Sequence, residues 1–263
     1  MTAVRLRLVT INSWKCDGDY HRRMDALERQ LAMLEPDLVA IQESFATIDG
    51  ATATAARLGR HLGLSTAFVP ARRKLRMFDG RPVDSHSGLA LLSRWNIARH
   101  GALALPSSPQ DGGRCAQLAV LAVGERRVAV TNVHLSHLPD GADLRRRQME
   151  ALLRQSCRGD NFDAAVLLGD FNAELAAPEL RRFFRPPWGL VDGYAAGGGG
   201  AKITCRQSDG RGSDIDHILS IQKRHGELPT FCDSGLVLDV PDPTSGIQPS
   251  DHVGVTTTLV LRR

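Results

Sequence analysis

Glu43, Asp170, Asp216 and Asp251 are carboxylates that stand where apolar runs of the chain stop or start, and His134 and His252 are imidazoles in the same setting. Carboxylates supply the hard oxygen ligands that Mg²⁺ or Mn²⁺ takes. Imidazoles titrate near neutrality and serve as acid, base or stabiliser of developing charge. Asn12, Asn132 and Asn172 add neutral donors suited to a non-bridging phosphoryl oxygen or an attacking water. No His₃ set and no Cys-x-x-Cys points to zinc. To neutralise a substrate, position water and stabilise growing negative charge is what phosphate-ester hydrolysis requires.

The run Ala164 to Leu168 reads as a buried strand, closed by Gly169-Asp170-Phe171-Asn172. Asp170 and Asn172 are two apart, so an extended backbone points both to one side. The same four residues suit a turn in which Asp and Asn bond their own backbone. Val4 to Ile11 predicts a strand ending at Asn12, and Leu38 to Ile41 one ending at Gln42-Glu43. Between them Met24, Leu27, Leu31 and Leu34 recur at helical spacing, with Pro36 just beyond. A second helix is expected over 51–62, and a third over 143–157 with Asp143 near its N-cap. Residues 70–87, with Pro70, Gly80 and Pro82, read as a basic surface loop before a short strand at Gly88–Leu92. Ala116–Val123 and Arg127–Val133 flank Gly124-Glu125 as a hairpin whose second strand leads to His134. Pro178 suits the opening of a short helix, Gly197 to Gly200 a loop tip, and 239–249 a Pro-rich turn region. Strands Ile215–Ile221 and Val253–Leu261 start beside Asp216-His217 and Asp251-His252.

Asn12, Glu43, His134 and Asp170 end strands, whereas Asp216 and His252 begin them. If the first four strands run one way and the last two run against them, all these groups gather at one rim. The N-terminal helices favour parallel pairs, which need a crossover, and the hairpins supply antiparallel ones. A site at the strand ends follows. His217 alternates to the side opposite Asp216 and reads as structural, and His86 reads as an ordinary loop histidine.

The 263 residues suffice for one large domain, and with no repeat or linker a single domain over 1–263 is expected. Hydrophobic content of 42% and charged content of 24% are those of a soluble globular protein. No apolar run approaches the length of a membrane span, and Arg5 and Arg7 interrupt the first apolar stretch, so neither a span nor a signal peptide is expected. The five cysteines form an odd, scattered set that fits a reducing cytoplasm. A net charge of +4 permits an anionic partner, and the cluster Arg72, Arg73, Lys74, Arg76, Arg81 is the place for one. Arg181, Arg182 and Arg185 form another cluster, and a monomer is expected.

The ordered set Thr10-Ile11-Asn12, Ile41-Gln42-Glu43, Ser87 to Ser93, Thr131-Asn132-Val133-His134-Leu135, Gly169-Asp170-Phe171-Asn172, Ile215 to Leu219 and Ser250-Asp251-His252 resembles the endonuclease/exonuclease/phosphatase superfamily. That superfamily includes pancreatic-type deoxyribonucleases, exonuclease-III-like repair nucleases, inositol-polyphosphate 5-phosphatases and neutral sphingomyelinases. The resemblance implies an α+β fold, a four-layer α/β/β/α sandwich of two mixed sheets with helices on the outer faces. It implies Glu43 as the main metal carboxylate, with Asn12 and Asp251 around a Mg²⁺ or Mn²⁺. Asp170 and Asn172 would orient the attacking water and the phosphate, Asp216 would orient His252, and His134 would be the second imidazole on the phosphate. Asn132 is a candidate substrate donor. Arg114, entering a strand from a loop, is a candidate phosphate contact, although a solvated arginine is the commoner role for such a position. Some nucleases of the family carry an acid two residues after this Asn; here that place is Trp14, and Asp17 lies further on.

The departures bear on the substrate. No Asn-Gly-x-Arg follows Asn12, as in the abasic-site nucleases, and no Trp-Cys-Asp-Arg marks a 5-phosphatase. The Trp14 to Tyr20 loop loosely resembles that of the tyrosyl-DNA phosphodiesterase branch. The basic bias adds to a nucleic-acid substrate, and Trp14 or Trp188 could stack on a base. The expectation is a Mg²⁺-dependent phosphodiesterase acting on nucleic acid or a nucleotide phosphoester. The alternatives are a phosphatase or sphingomyelinase-like phospholipase, and an inactive binder of anionic ligands.

Overall fold

The computed structural model describes residues 3–156, 162–206, 211–221 and 229–261. In chain order the elements are β1 (Val4–Asn12), α1 (Tyr20–Leu34), β2 (Leu38–Thr47), α2 (Thr54–Leu62), β3 (Ser65–Phe78), β4 (Arg81–Ser93), β5 (Asn96–Ala104), β6 (Cys115–Val123) and β7 (Arg126–His134). There follow α3 (Ala142–Ser156), β8 (Ala164–Asp170), α4 (Pro178–Arg181), β9 (Leu190–Asp192), α5 (Gly193–Ala196), β10 (Cys205–Arg206), β11 (Gly212–Ser213), β12 (Asp216–Ile221), β13 (Thr230–Val237) and β14 (Gly254–Leu261). The expected end of the third helix, Cys157, lies outside the described residues.

The central strands are apolar on both faces, and this dictates layering. In β1, Leu6 and Leu8 face the other sheet while Val9 and Ile11 face α1. In β8, Val166 and Leu168 face inward while Ala165 and Leu167 face α3. One six-stranded sheet runs β13-β14-β1-β2-β4-β3, the other β5-β6-β7-β8-β12-β9. Their facing sides share one core, including Leu38, Leu121, Val130, Ile218 and Leu259. Met24, Leu27 and Leu31 of α1 cover the outer face of the first sheet. Met149, Leu152 and Leu153 of α3 cover the second. The result is the expected four-layer α/β/β/α sandwich.

Strand direction places the site. β1 and β2 are parallel, as are β7 and β8. β14 runs antiparallel to β1, and β12 antiparallel to β8. The C-terminal ends of the first four strands therefore share a rim with the starts of the other two.

Residues 70–87 are not a loop. They belong to a long antiparallel hairpin, β3–β4, turned by Asp79 and Gly80, both with positive φ (50° and 74°). An Asp-Gly pair suits a two-residue hairpin turn, because its left-handed backbone matches the strand twist. The hairpin outruns the apolar core, so its far half carries basic and polar residues and lacks the usual alternation. The strands β5 and β13 lie at sheet edges and were obscured for a similar reason. β2 continues past Glu43 to Thr47, and α2 begins at Thr54 rather than at 51.

Candidate active site

Position along the strand selects which polar groups reach the rim. Leu8 of β1, Val130 of β7, Val166 and Leu168 of β8, and Ile218 of β12 all point between the sheets. By the two-residue period, Asn12, Asn132, His134, Asp170 and Asp216 point the same way. Registry adds to this, since Asp170 lies directly across from both His134 and Asp216. Gly169 has φ 147°, and a Cβ there would sit 2.0 Å from the Val133 carbonyl oxygen, so only glycine lets β8 approach β7 here.

Asp170 is the hub, only 2% exposed. Its Oδ2 accepts from Asn12 Nδ2 at 3.0 Å and lies 3.4 Å from His134 Nε2 and 3.9 Å from His252 Nε2. Its Oδ1 accepts from the Asn172 backbone N–H at 2.9 Å. Asn172 has left-handed backbone (φ 49°) and its amide donates to Leu135 O. The turn and the site are thus the same structure: Asp170 caps its own turn with one oxygen and offers the other to the pocket. Asn172 is not extended, so the expected two-residue alternation does not apply to it.

His252 Nδ1 and Asp216 Oδ2 are 2.8 Å apart, both buried. β12 and β14 belong to different sheets, so the pair spans the sandwich and does not join antiparallel neighbours. A bridge from Cys205 to His252 holds the histidine's backbone. Burial opposes a charge on His252, but the Asp216 carboxylate and its hydrogen bond reverse this and hold the pKa well above its ordinary value. His134 goes the other way. Burial, then the charges of Arg114, His252 and Lys15, push its pKa well down, so it is neutral at pH 7. Asp170 is raised to about 7 by burial and by Asp216, against His252 and Asn12.

On the other flank stand Glu43 and Asp251. By strict alternation Glu43 would face α1. A bulge between Ile41 and Ser44, with Glu43 itself at φ 52°, turns it to the rim. Burial raises the Asp251 pKa, the His252 charge opposes this, and the Glu43 charge adds a smaller rise. Two carboxylates side by side at the rim are the hard oxygen donors that suit a divalent ion. Lys15 Nζ sits 2.8 Å from Glu43 Oε2 and 3.4 Å from Asp17 Oδ2. Burial works against its charge, and these two acids raise its pKa regardless. Separately, Asp170, Asp216 and His252 offer ligand atoms within 4.8 Å of one another that could hold a metal.

These groups open into one concave pocket of about 620 Å³, which Asn12, Glu43, Arg114, His134, Asn172 and Asp251 help to line. Asn132 is not among them. It lies one step deeper than His134, with no exposure, donating to Ile41 O, Ala90 O and Gln117 Oε1 and accepting from Gln42. It is a polar staple between the sheets and lies outside the pocket lining. His217 is fully buried, bonded to Ala173 O and Lys202, in keeping with a structural role. His86 sits on β4 away from the pocket lining.

Several residues of the site carried no sequence signal. Arg23, buried on the apolar stripe of α1, donates to the carbonyls of Ser13, Trp14, Lys15, Asp17 and Pro249 and so shapes the loops beside Glu43 and Asp251. Lys202, also buried, donates to the Asp216 backbone oxygen and pairs with Asp214. Asp111 and His137 line the pocket together with Arg114. Only the odd placement of an arginine on an apolar helix face could have flagged Arg23.

A model of the Endonuclease/Exonuclease/phosphatase family matches residues 9–252. A comparison with curated proteins finds no match. Truncated TDP2 from Caenorhabditis elegans is similar in structure with a TM-score of 0.71 at 18% identity, over 97% of each chain. An endonuclease/exonuclease/phosphatase from Bacteroides vulgatus gives a TM-score of 0.77 at 18% identity, over 98% of this chain and 100% of its own. Humanized D. rerio TDP2 with 14 mutations gives 0.76 at 16% identity, over 97% and 98%. At such identities the likeness establishes the fold. Members of the matching family are typically hydrolases of phosphoester bonds and generally depend on a divalent metal. With that model spanning nearly the whole chain and the sandwich in place, this protein belongs to the endonuclease/exonuclease/phosphatase family.

Proposed function

We propose that the protein is a Mg²⁺- or Mn²⁺-dependent phosphodiesterase, with nucleic acid or a nucleotide phosphoester as its substrate class. The observation that carries this is the arrangement around Asp170 Oδ2. A neutral imidazole, a charged imidazole and an amide converge on one buried carboxylate oxygen. Asp170 accepts a proton from the attacking water as the water oxygen bonds to phosphorus, and the ester P–O bond breaks, its leaving oxygen taking a proton from solvent. His252, kept charged by Asp216, donates from Nε2 to a phosphoryl oxygen as negative charge grows. His134 binds a second oxygen as a neutral donor, and Asn12 and Asn172 hold Asp170 in place.

Glu43, Asp251 and Asn12 would hold the divalent ion, which supplies charge neutralisation of the phosphoryl group when bound. The Asp170–Asp216–His252 cluster is less suited, because a metal there would have to displace the 2.8 Å bond from Asp216 to His252. The basic residues Arg72, Lys74 and Arg76 on the β3–β4 hairpin line the same pocket and favour a polyanion. Leu75 and Met77, 66% and 64% exposed on that wall, favour a second reading, a phosphoester with an apolar group such as a phospholipid.

Turnover of bis-p-nitrophenyl phosphate and of p-nitrophenyl phosphate, each with Mg²⁺ and with EDTA, tests the reading. A metal-dependent preference for the diester is expected. A preference for the monoester makes the protein a phosphatase, and no turnover of either makes it a binder.

A further inference from the structure

We propose that Arg114, His137 and Arg72 form a second anion subsite beside the reacting centre, so that the substrate carries a further phosphoryl group next to the one hydrolysed. This rests on the phosphodiester reading and narrows it.

The subsite is built by two loops and the hairpin. Asp111, in the loop after β5, has a side chain with no exposure. Its Oδ1 accepts from Arg114 Nε at 3.0 Å and lies 3.0 Å from His137 Nδ1. Its Oδ2 is buried with no partner among the described residues. Exposure then rises outward, to 12% for the Arg114 side chain and 50% for His137. A buried carboxylate thus anchors a guanidinium and an imidazole at the pocket wall, and Arg114 Nη2 lies 2.5 Å from His137 Nδ1, so the two side chains are held as one unit. Such pre-positioning lowers the entropy cost of binding an anion.

The location is next to the chemistry without being part of it. Arg114 Nη1 is 3.5 Å from the His134 carbonyl oxygen. The charges of both Arg114 and His137 are felt by the His134 ring. Yet the reacting phosphoryl group already has His134 and His252, so Arg114 and His137 are surplus to it. Arg72 closes the subsite from the hairpin. A Cβ on Gly112 would lie 3.2 Å from Arg72 Cδ, so the Arg72 stem lies against the 111–113 turn. Neither Arg72 nor its neighbour Lys74 has a carboxylate partner among the described residues, whereas Arg73 between them pairs with Asp84. Arg72 and Lys74 thus line the pocket together with Arg114 and His137, whereas the Lys15 cation is taken up by Glu43 and Asp17. A planar guanidinium beside a second cation matches a phosphate oxygen pair. A ligand with two adjacent phosphoryl groups fits this arrangement, whether a diphosphate or two consecutive phosphodiesters.

Methylenediphosphonate and methylphosphonate serve as probes that cannot be hydrolysed. Their affinities are measured by calorimetry on the full chain, with and without Mg²⁺. The wild type should prefer the diphosphonate by at least about tenfold in both conditions, as charge-assisted contacts of this kind imply. Arg72→Ala and His137→Gln, at exposed or half-exposed positions, should each cut that preference several-fold, and Arg114→Ala should cut it further. Arg73→Ala should leave it unchanged. Equal affinity of the two probes for the wild type, or a preference that survives all three variants, overturns the subsite. Because binding is read without turnover, the subsite and the hydrolase reading fail separately. A retained preference with no cleavage of the diester sinks only the latter, and cleavage without preference sinks only the former.

Discussion

Burial alone would strip the charge from His252, and it is the Asp216 carboxylate at 2.8 Å that restores it. Because the folded pKa lies above the unfolded value of ~6.5, the pair's stabilisation is full below that value and is lost as pH rises through the folded pKa. Asp216→Asn keeps the shape and removes the charge. The His252 pKa, followed by NMR, should fall, and kcat at saturating Mg²⁺ should drop by roughly two to four orders of magnitude, as when a catalytic imidazole loses its orienting carboxylate. A variant that titrates and turns over like wild type would move the catalytic role to His134. Lys15 raises a separate residue-scale matter. Its ammonium occupies the Glu43 carboxylate, so it competes there with any divalent ion. Lys15→Met should tighten Mg²⁺ binding by about three- to tenfold in calorimetry, since a partly exposed ion pair is worth on the order of 1 kcal/mol. Weaker binding in the variant would show that Lys15 assists the ion instead.

The hairpin β3–β4 is the element that gives the pocket its basic wall. Alternation along β3 separates its charges into two sets. Arg72 and Lys74 line the pocket, while Arg73 is ion-paired to Asp84 away from it. If a single-stranded oligonucleotide is bound there, each phosphate contact contributes a slope of about 0.7 to the fall of log affinity with log salt. Replacing Arg72 and Lys74 together by Ala should therefore lower the slope by roughly 1.4, and Arg73→Ala should not change it. Fluorescence anisotropy across a salt series reads both. An unchanged slope in the double variant would make the wall ordinary surface. The hairpin was hidden from periodicity because it extends past the core, where no buried face enforces apolar alternation. Asp79-Gly80 was its one legible signal.

At the scale of the molecule, the four layers bury polar machinery whose protonation the fold must maintain. His217 is the plainest case. Burial, and then the charge of Lys202, push its pKa down to about 3, against the hydrogen bond to Ala173 O. A depressed folded pKa means stability that is present above the unfolded value of ~6.5 and is lost as pH falls toward the folded one. Urea midpoints should therefore decline between pH 6.5 and 4, with a loss on the order of a few kcal/mol. His217→Gln should flatten that decline. An equally steep acid limb in the variant would place the acid sensitivity elsewhere.

No helix among the described residues is long and apolar enough to cross a membrane. The central strands and the helices were legible in the sequence, because strands buried on both faces must be apolar at every position and the helices between them must carry a stripe, while their stacking into four layers followed from the family resemblance. The order of polar strand ends was legible too, and strand direction then gathers Asn12, His134, Asp170 and Asp216 at one rim. Depth and partnership were not. Periodicity tells which face a side chain takes, and not how far it lies from the rim, so Asn132 looked like Asn12 although it staples the sheets from within. A local backbone irregularity, the bulge at Glu43, overrode alternation in the site's favour. The Asp216–His252 partnership was implied by the family resemblance alone, since no spacing in the chain encodes a contact between sheets, and which sheet each strand joins set the pair across the sandwich. Arg23, Lys15, Lys202, Asp111 and His137 were silent for the same reason. Each acts through partners brought near only when the two sheets close on their shared core.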